Sequence, residues 1–327
     1  MIVAASLLGY ALLLAVAGPR LLTRRGWADR APRLGIIAWQ SLTATVLVAV
    51  ALAGLALVMP TVRVSADLAN LLQACVMALR AQYATPGGAA AGATGAVLAL
   101  AVLGRAGYCL IATLAVAVRG RSRHCAVLAR VAAPAPQLGA VVLDEAAPAV
   151  YCLPGHRRRI VVTTGALDRL DDHQLAAALA HERAHLSQRH HLVLAWAAGL
   201  ARAFPRVRLF GQAQTESQRL VELLADDVAA RSVDRLTLAE ALLALASATP
   251  RVPVTALGAG GSTAATRIRR LIEPPRRLGR LRTALASLAA AIVLAVPIIA
   301  LASPAIAATH MNYCPTTQPV AASAPAA

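Results

Sequence analysis

The segment LDDHQLAAALAHERAHL occupies residues 170–186 and decides the central element of the fold. Asp171 is followed three residues later by Gln174, which is the pattern of a capping box at a helix start. Leu175 and Leu179 then recur at helical spacing. The segment is therefore predicted to form one α-helix that begins near Asp171.

This predicted helix carries the motif His-Glu-x-x-His at residues 181–185. Residues four positions apart lie on one helix face, so the imidazoles of His181 and His185 can bind the same Zn²⁺ ion. Glu182 is adjacent to them and can act as the base that takes a proton from water. A structural ion-pair helix without metal is the alternative interpretation.

A third ligand is expected on a second helix, predicted for residues 216–230. Glu222 and Asp226 are four residues apart and share a face of it. We expect Glu222 to bind the zinc ion and Asp226 to orient a zinc-binding histidine. Glu216 lies well round the helix and is expected to be solvated, and Asp227 is the weaker candidate of the adjacent acids.

The composition places these motifs in a membrane protein. The 327 residues are 58% hydrophobic and 14% charged, with a net charge of +17, and the mean hydropathy is +0.62. Soluble globular chains carry about 25% charged residues, and disordered chains are poor in apolar ones, so both classes are excluded. Four stretches are long enough to cross a bilayer. They are residues 2–18, 34–59, 96–118 and 283–304.

The positions of the arginines predict the orientation of these spans. The loop after the first span holds five arginines, whereas the loop at residues 60–95 holds only two. Positive-inside logic places the first loop and residues 119–282 in the cytoplasm, and both termini and the tail at 305–327 outside. The first span has no basic segment before it, so it is predicted to be an uncleaved anchor.

Residues 119–282 are predicted to form an α+β domain. Short β-rich runs at residues 140–143, 149–153 and 159–163 predict a small sheet beside the motif helix. An exposed sheet edge could bind an extended peptide by strand addition. Residues 192–204 are apolar but too short to span, and are expected to continue the motif helix along the membrane or to pack in the domain.

The motifs resemble those of the BlaR/MecR antirepressors, which are membrane zinc metallopeptidases of β-lactam signalling. The likeness rests on the motif helix, the Glu222-x-x-x-Asp226 pair, the strand at Ile160 and the sequence Arg267-Ile-Arg-Arg-Leu271 before the last span. It implies a zincin-like domain of the gluzincin type in a bacterial plasma membrane. HtpX-type proteases share the motifs, but they typically have two spans on each side of the domain.

Two departures from that family are visible. Its sensors continue after the fourth span into an external penicillin-binding domain, whereas a short tail at residues 305–327 follows that span here, so direct covalent sensing of β-lactams is not expected. The family often has Arg-Asp shortly after the second motif histidine, whereas this sequence has Arg189-His190-His191. His190 and His191 break the i,i+4 face and are expected to be surface residues, although a metal or substrate contact is the alternative.

The remaining residues suggest partners. Arg267, Arg269 and Arg270 begin an arginine cluster before the fourth span, for which we expect contact with anionic lipid and no nucleic acid. Arg105 lies inside the third span and is expected to face the bundle or the interface. Cys75 and Cys314 both fall outside the cell, where we expect a disulfide between them.

Together these features predict a membrane-embedded zinc endopeptidase with one zinc ion per chain. The resemblance implies a cytoplasmic substrate, either a transcriptional repressor or the chain itself, cleaved in response to a signal. HtpX-like quality control of membrane proteins is an alternative function. A catalytically inactive signalling scaffold is an alternative of another class, disfavoured by Glu182. A homo-oligomer is left open.

Overall fold

In the residues that the structure describes, the fold is mostly helical with one small sheet. The computed structural model describes residues 2–58, 77, 80, 83–155, 159–248, 259–274 and 279–309. Cys75 and Cys314, for which a disulfide is predicted, lie outside these ranges, as do most of the second loop and residues 310–327 of the tail.

Three helices in the described part are long and apolar enough to cross a membrane. They are α1 (Ile2–Leu22), α3 (Pro32–Val58) and α4 (Pro86–Val131), with the short α2 (Trp27–Arg30) before α3. The first two agree with the predicted spans to within a few residues. The predicted third span lies inside α4, which has 46 residues and is about 69 Å long. No proline follows Val118 until residue 134, so the helix continues where the hydrophobicity ends.

The last helix, α11 (Arg280–Thr309), contains a shorter apolar stretch at Ser287–Ile299. It packs beside α1, where the Tyr10 hydroxyl donates a hydrogen bond to the Val293 carbonyl at 3.0 Å. Pro304, predicted to close the fourth span, is inside this helix. A fourth crossing and the orientation of the spans remain predictions.

The sheet has four strands in the order β1-β2-β4-β3, where β2 and β4 are parallel and the other pairs antiparallel. The strands are β1 (Ala132–Ala135), β2 (Ala140–Leu143), β3 (Val150–Leu153) and β4 (Arg159–Thr163). The last three confirm the predicted runs. The sequence Ala-Ala-Pro-Ala of β1 was not predicted, because it contains no β-branched or aromatic residue. Strand β3 forms one edge of the sheet.

Six helices follow the sheet in the described residues up to Ile272. They are α5 (Thr164–Arg169), α6 (Asp172–Ser187), α7 (His190–Ala203), α8 (Arg208–Ala229), α9 (Arg235–Ala248) and α10 (Ala259–Ile272). The predicted capping box at the start of α6 is confirmed, since the Asp171 side chain accepts from the Gln174 N–H at 2.8 Å. This box satisfies backbone N–H groups that have no partner within the helix.

Helices α7 and α8 form a hairpin that packs against the apolar helices rather than against the sheet. Trp39 and Val46 of α3 share one hydrophobic cluster with Leu200 of α7 and Leu220 of α8. Of the two alternatives for residues 192–204, continuation of the motif helix is wrong, because the chain turns at Arg189 and starts a new helix. The alternative that these residues pack within the protein agrees with the buried Leu200.

Two contacts fix the hairpin in place. Gly199 of α7 approaches α4 so closely that a Cβ there would lie 2.6 Å from Leu110 Cδ2. Arg105 of α4 donates a hydrogen bond from Nε to the carbonyl oxygen of Ala203 at 2.5 Å. Carbonyl groups in the last turn of a helix lack intrahelical partners. Arg105 therefore faces the bundle, as expected, and caps the end of α7.

Candidate active site

His181 and His185 lie one turn apart on α6 with their rings edge to face. Their Nε2 atoms are 3.1 Å apart. His181 is 6% exposed. Two imidazole nitrogens thus converge on one point inside the molecule.

Glu222 of α8 completes a cluster of three ligand atoms. Its Oε2 lies 3.5 Å from His181 Nε2, and its Oε1 lies 3.5 Å from His185 Nε2. Tetrahedral zinc with bonds of about 2.0–2.1 Å separates its ligand atoms by roughly 3.3–3.4 Å. The two imidazole nitrogens, 3.1 Å apart, are close to that spacing, and each lies 3.5 Å from a different oxygen of Glu222. One ligand atom from each of the three residues lies within 4.8 Å of the other two, so the three side chains can hold one ion. Two imidazoles and one carboxylate are also the ligand set of one class of catalytic zinc sites.

Glu182 lies between this cluster and the edge strand β3. Burial raises the pKa of its carboxyl group, while the charge of His181 and a hydrogen bond from the Cys152 thiol act in the opposite direction. Burial, together with the nearby charge of Glu182, raises the pKa of the Cys152 thiol. A carboxylate with a raised pKa is better suited to accept and return a proton near neutral pH.

Residues 117–310 match the model of peptidase family M48. The match covers more than half of the chain. The chain belongs to peptidase family M48. It is therefore a metallopeptidase, a hydrolase of peptide bonds, and its apolar helices indicate association with a membrane. The match supports the membrane-type zinc metallopeptidases without distinguishing the BlaR/MecR antirepressors among them. No curated protein and no solved structure matches the chain.

Asp226 of the M48 chain lies against the far nitrogen of His181. Its Oδ1 is 3.0 Å from His181 Nδ1, and the residue is 1% exposed. Burial raises the pKa of Asp226, but hydrogen bonds from Arg267 and His181 outweigh this and hold it at about 2. The buried carboxylate is therefore charged and fixes the orientation of the His181 ring.

Arg267 of α10 binds both acids of this M48 site. Its Nη1 lies 2.8 Å from Glu222 Oε2, and its Nε and Nη2 lie 2.8 and 2.7 Å from the two oxygens of Asp226. The lipid contact expected for Arg267 is wrong. Buried carboxylates require a counter-charge, so the role predicted for Asp226, beside a zinc-binding histidine, was the signal that could have indicated a basic partner.

Arg270, on the same helix, is also bound within the protein. It forms two bonds of 2.8 Å to the carboxylate of Asp227 and donates from Nε to the carbonyl oxygen of Asp29 at 2.9 Å. Its expected lipid contact is likewise wrong, whereas Arg269 is exposed. Glu216 is not simply solvated, because it pairs with Arg219 at 2.8 Å.

His190 is buried, contrary to the expectation of a surface histidine. It is 2% exposed, and its Nδ1 lies 3.1 Å from His185 Nδ1. The helical-face argument failed because Arg189 adopts a left-handed conformation with φ of 52° and breaks the helix. The sequence contains no glycine or proline there to indicate the break.

The pKa values of the two motif histidines of the M48 chain are shifted in opposite directions. Burial lowers the pKa of His181, but its bonds to Asp226 and Glu222 raise it to about 9. Burial lowers the pKa of His185 to about 4, and it does the same for His190. The pKa of His181 is thus raised by its acidic neighbours, whereas the pKa values of His185 and His190 are lowered by burial.

Proposed function

We propose that the chain is a membrane-anchored zinc endopeptidase in which His181, His185 and Glu222 hold one zinc ion and Glu182 is the catalytic base. The observation that carries this proposal is the convergence of one ligand atom each from His181, His185 and Glu222, all within 4.8 Å of one another, beside a buried glutamate. A structural metal site needs no such base, which argues against the inactive scaffold.

Each residue has a separate task in peptide hydrolysis. A bound zinc ion supplies a Lewis acid that polarises the scissile carbonyl and lowers the pKa of water. Glu182 accepts the proton of the attacking water and returns it to the leaving amine. Asp226 holds the ring of His181, and Arg267 holds the carboxylates of Asp226 and Glu222 in place.

Strand β3 is the proposed binding surface for the substrate backbone. The Thr163 N–H donates to the Ala149 carbonyl at 3.0 Å, so residues 149 and 163 form a hydrogen-bonded pair of the antiparallel ladder. Because such pairs alternate, the backbone groups of Val150 and Cys152 point away from β4. An extended peptide that pairs with this edge passes beside Glu182, next to Cys152.

A proline at Val150 tests this binding mode. It removes an N–H that points out of the sheet, so the sheet itself keeps its hydrogen bonds. We expect Val150→Pro to raise KM for a peptide substrate and Val150→Ala to leave it close to wild type. Unchanged cleavage by Val150→Pro would count against strand addition.

The proposed substrate is a cytoplasmic protein, either a transcriptional repressor or the chain itself, cleaved after a signal. The arginine-rich first loop supports a cytoplasmic location of the site. The sequence resemblance to the antirepressors supports the regulatory role.

Quality control of membrane proteins is the second candidate, and the packing of α8 favours it. Ser217 and Leu220, on the helix that carries Glu222, contact Gln40 and Gly35 of α3. The candidate site is therefore held against helices that are apolar enough to cross the membrane. Segments that emerge from the membrane would reach such a site first.

Comparison of wild type with Glu182→Gln in membranes tests the activity. General acid–base groups contribute about 10²–10⁴-fold, so we expect fragment formation to fall by that factor while zinc binding persists. Glu240→Gln is the matched control, because Glu240 is an exposed acid on α9. Equal fragments from wild type and Glu182→Gln would exclude the protease function.

The identity of the fragments separates the two substrate classes. Sequencing of protein N-termini that appear only with wild type identifies cleaved proteins directly. Cleaved soluble regulators, or cleavage of the chain itself, support the signalling role. A broad set of cleaved membrane proteins supports quality control.

A further inference from the structure

His190 contacts the candidate metal ligand His185 on the side of its ring that faces away from the other two candidate ligands. The Nδ1 atoms of His190 and His185 are 3.1 Å apart, and the rings are perpendicular with centroids 4.9 Å apart. The Nε2 atom of His185 faces the other way, toward His181 and Glu222. His190 therefore contacts Nδ1 of His185 just as Asp226 contacts Nδ1 of His181.

An unfavourable backbone conformation brings His190 to this place. In an unbroken helix, residue i+5 lies about 140° round the axis from residue i, too far for contact. Arg189 instead has φ of 52°, in the left-handed region, and α7 begins at His190. Glycine adopts that region most readily, so the surrounding packing has to hold Arg189 in it, and this turn brings His190 to His185.

We propose that His190 is a positioning residue whose Nδ1 accepts a hydrogen bond from Nδ1–H of His185 and so leaves Nε2 of His185 free for the metal ion. This inference rests on the proposed zinc site. A neutral imidazole carries one proton, and the bond made by one nitrogen decides which nitrogen can bind metal.

The surroundings of His190 agree with this role. The ring is 2% exposed, so water does not compete for its Nδ1. When Nδ1 accepts, the ring proton is on Nε2, which is buried and has no hydrogen-bond partner in the part of the chain that the structure describes. The contact with His185 is therefore the polar interaction that accounts for a histidine in this buried position.

Zinc affinity of the purified full chain, measured by competition with a chelator, tests the proposal. Loss of a hydrogen-bond partner of a metal ligand costs about 10–100-fold in metal affinity, and we expect this loss for His190→Leu. In His190→Asn, the amide oxygen takes the place of Nδ1, so affinity stays within a few-fold of wild type. In His190→Gln, the amide reaches the place of Nε2 instead, and affinity falls as for leucine.

The absorption spectrum of bound Co²⁺ provides a second measurement. We expect the spectrum of His190→Asn to match wild type and that of His190→Leu to differ, because the ring of His185 has turned. Equal zinc affinities for the Asn and Gln variants would overturn the proposal, since His190 would then only fill space. If His190→Leu fails to fold, the comparison of the Asn and Gln variants still tests the positioning role of His190.

His185→Ala separates this inference from the proposed function. If His185→Ala binds zinc as tightly as wild type, the zinc site itself is wrong. If His185→Ala loses zinc while His190→Leu binds it like wild type, the zinc site stands and the positioning role of His190 is wrong.

Discussion

Replacing Arg267 by leucine removes the guanidinium that binds both Glu222 and Asp226. The Arg267 side chain is 13% exposed and that of Asp226 is 1% exposed, so this ion pair is buried. Three contacts of 2.7 to 2.8 Å to the two carboxylates are lost. Asp226 is then left with His181 alone, and water does not reach it to compensate.

The magnitude follows from the cost of an uncompensated buried charge. Removal of one partner of a buried ion pair costs about 3–5 kcal/mol. Each kcal/mol lowers the melting temperature of a unit of about 150–250 residues by roughly 2–4 °C. We therefore expect the metal-free chain to lose roughly 6–20 °C in Tm. Arg267→Lys keeps the charge without the two parallel bonds and should fall between leucine and wild type.

The assay is thermal unfolding in lipid nanodiscs with a chelator present, because bound zinc would stabilise the folded state by mass action. Arg269→Leu is the matched control, since it is exposed on the same helix two residues away. Exposed substitutions of this kind change stability by about 0.5 kcal/mol or less. A Tm for Arg267→Leu equal to that of Arg269→Leu would refute the reasoning.

Further outcomes are expected for zinc affinity, its pH dependence and two glycine substitutions. Asp226→Asn weakens zinc binding about 10–100-fold in chelator competition, because the His181 ring loses its charged partner. The pKa of His181 is raised to about 9 in the folded chain, so zinc must displace a proton from His181 below that pH. The measured zinc affinity should therefore rise about tenfold per pH unit from pH 7 to 9 and then level off. A zinc affinity that does not change with pH would contradict this. Gly165→Ala lowers the free energy of unfolding by about 1–3 kcal/mol, since a Cβ would overlap the Ala146 carbonyl oxygen. In contrast, Gly211→Ala raises the free energy of unfolding by about 0.5–1 kcal/mol, because Gly211 lies on α8 with open space where the Cβ would be.

The local elements of the fold follow from the sequence, because short-range patterns determine them. The capping box at Asp171 and the run at residues 159–163 each predict one element, and the structure contains both. The end of α4 was not predicted, since loss of hydrophobicity after Val118 marks the edge of a membrane and not the end of a helix.

Short-range sequence patterns do not predict contacts between segments that are distant in the sequence. Arg267 lies 41 residues from Asp226, and its surroundings in the sequence are those of an ordinary basic cluster before an apolar helix. His190 depends on one left-handed residue, Arg189, whose type gives no indication of that conformation. In both cases the side chain is placed by tertiary packing, which periodicity does not describe.

The hairpin of α7 and α8 decides how the enzyme can be produced and assayed. Leu209, Phe210 and Leu220 of α8 are 0%, 4% and 0% exposed, packed in the cluster shared with the apolar helices. A fragment without α1–α4 would expose these side chains to water on the helix that carries Glu222. It would aggregate or fail to hold Glu222 in position. Soluble expression of the peptidase region alone should therefore yield inactive protein, and inhibitor screens or kinetics require the whole chain in a bilayer mimic.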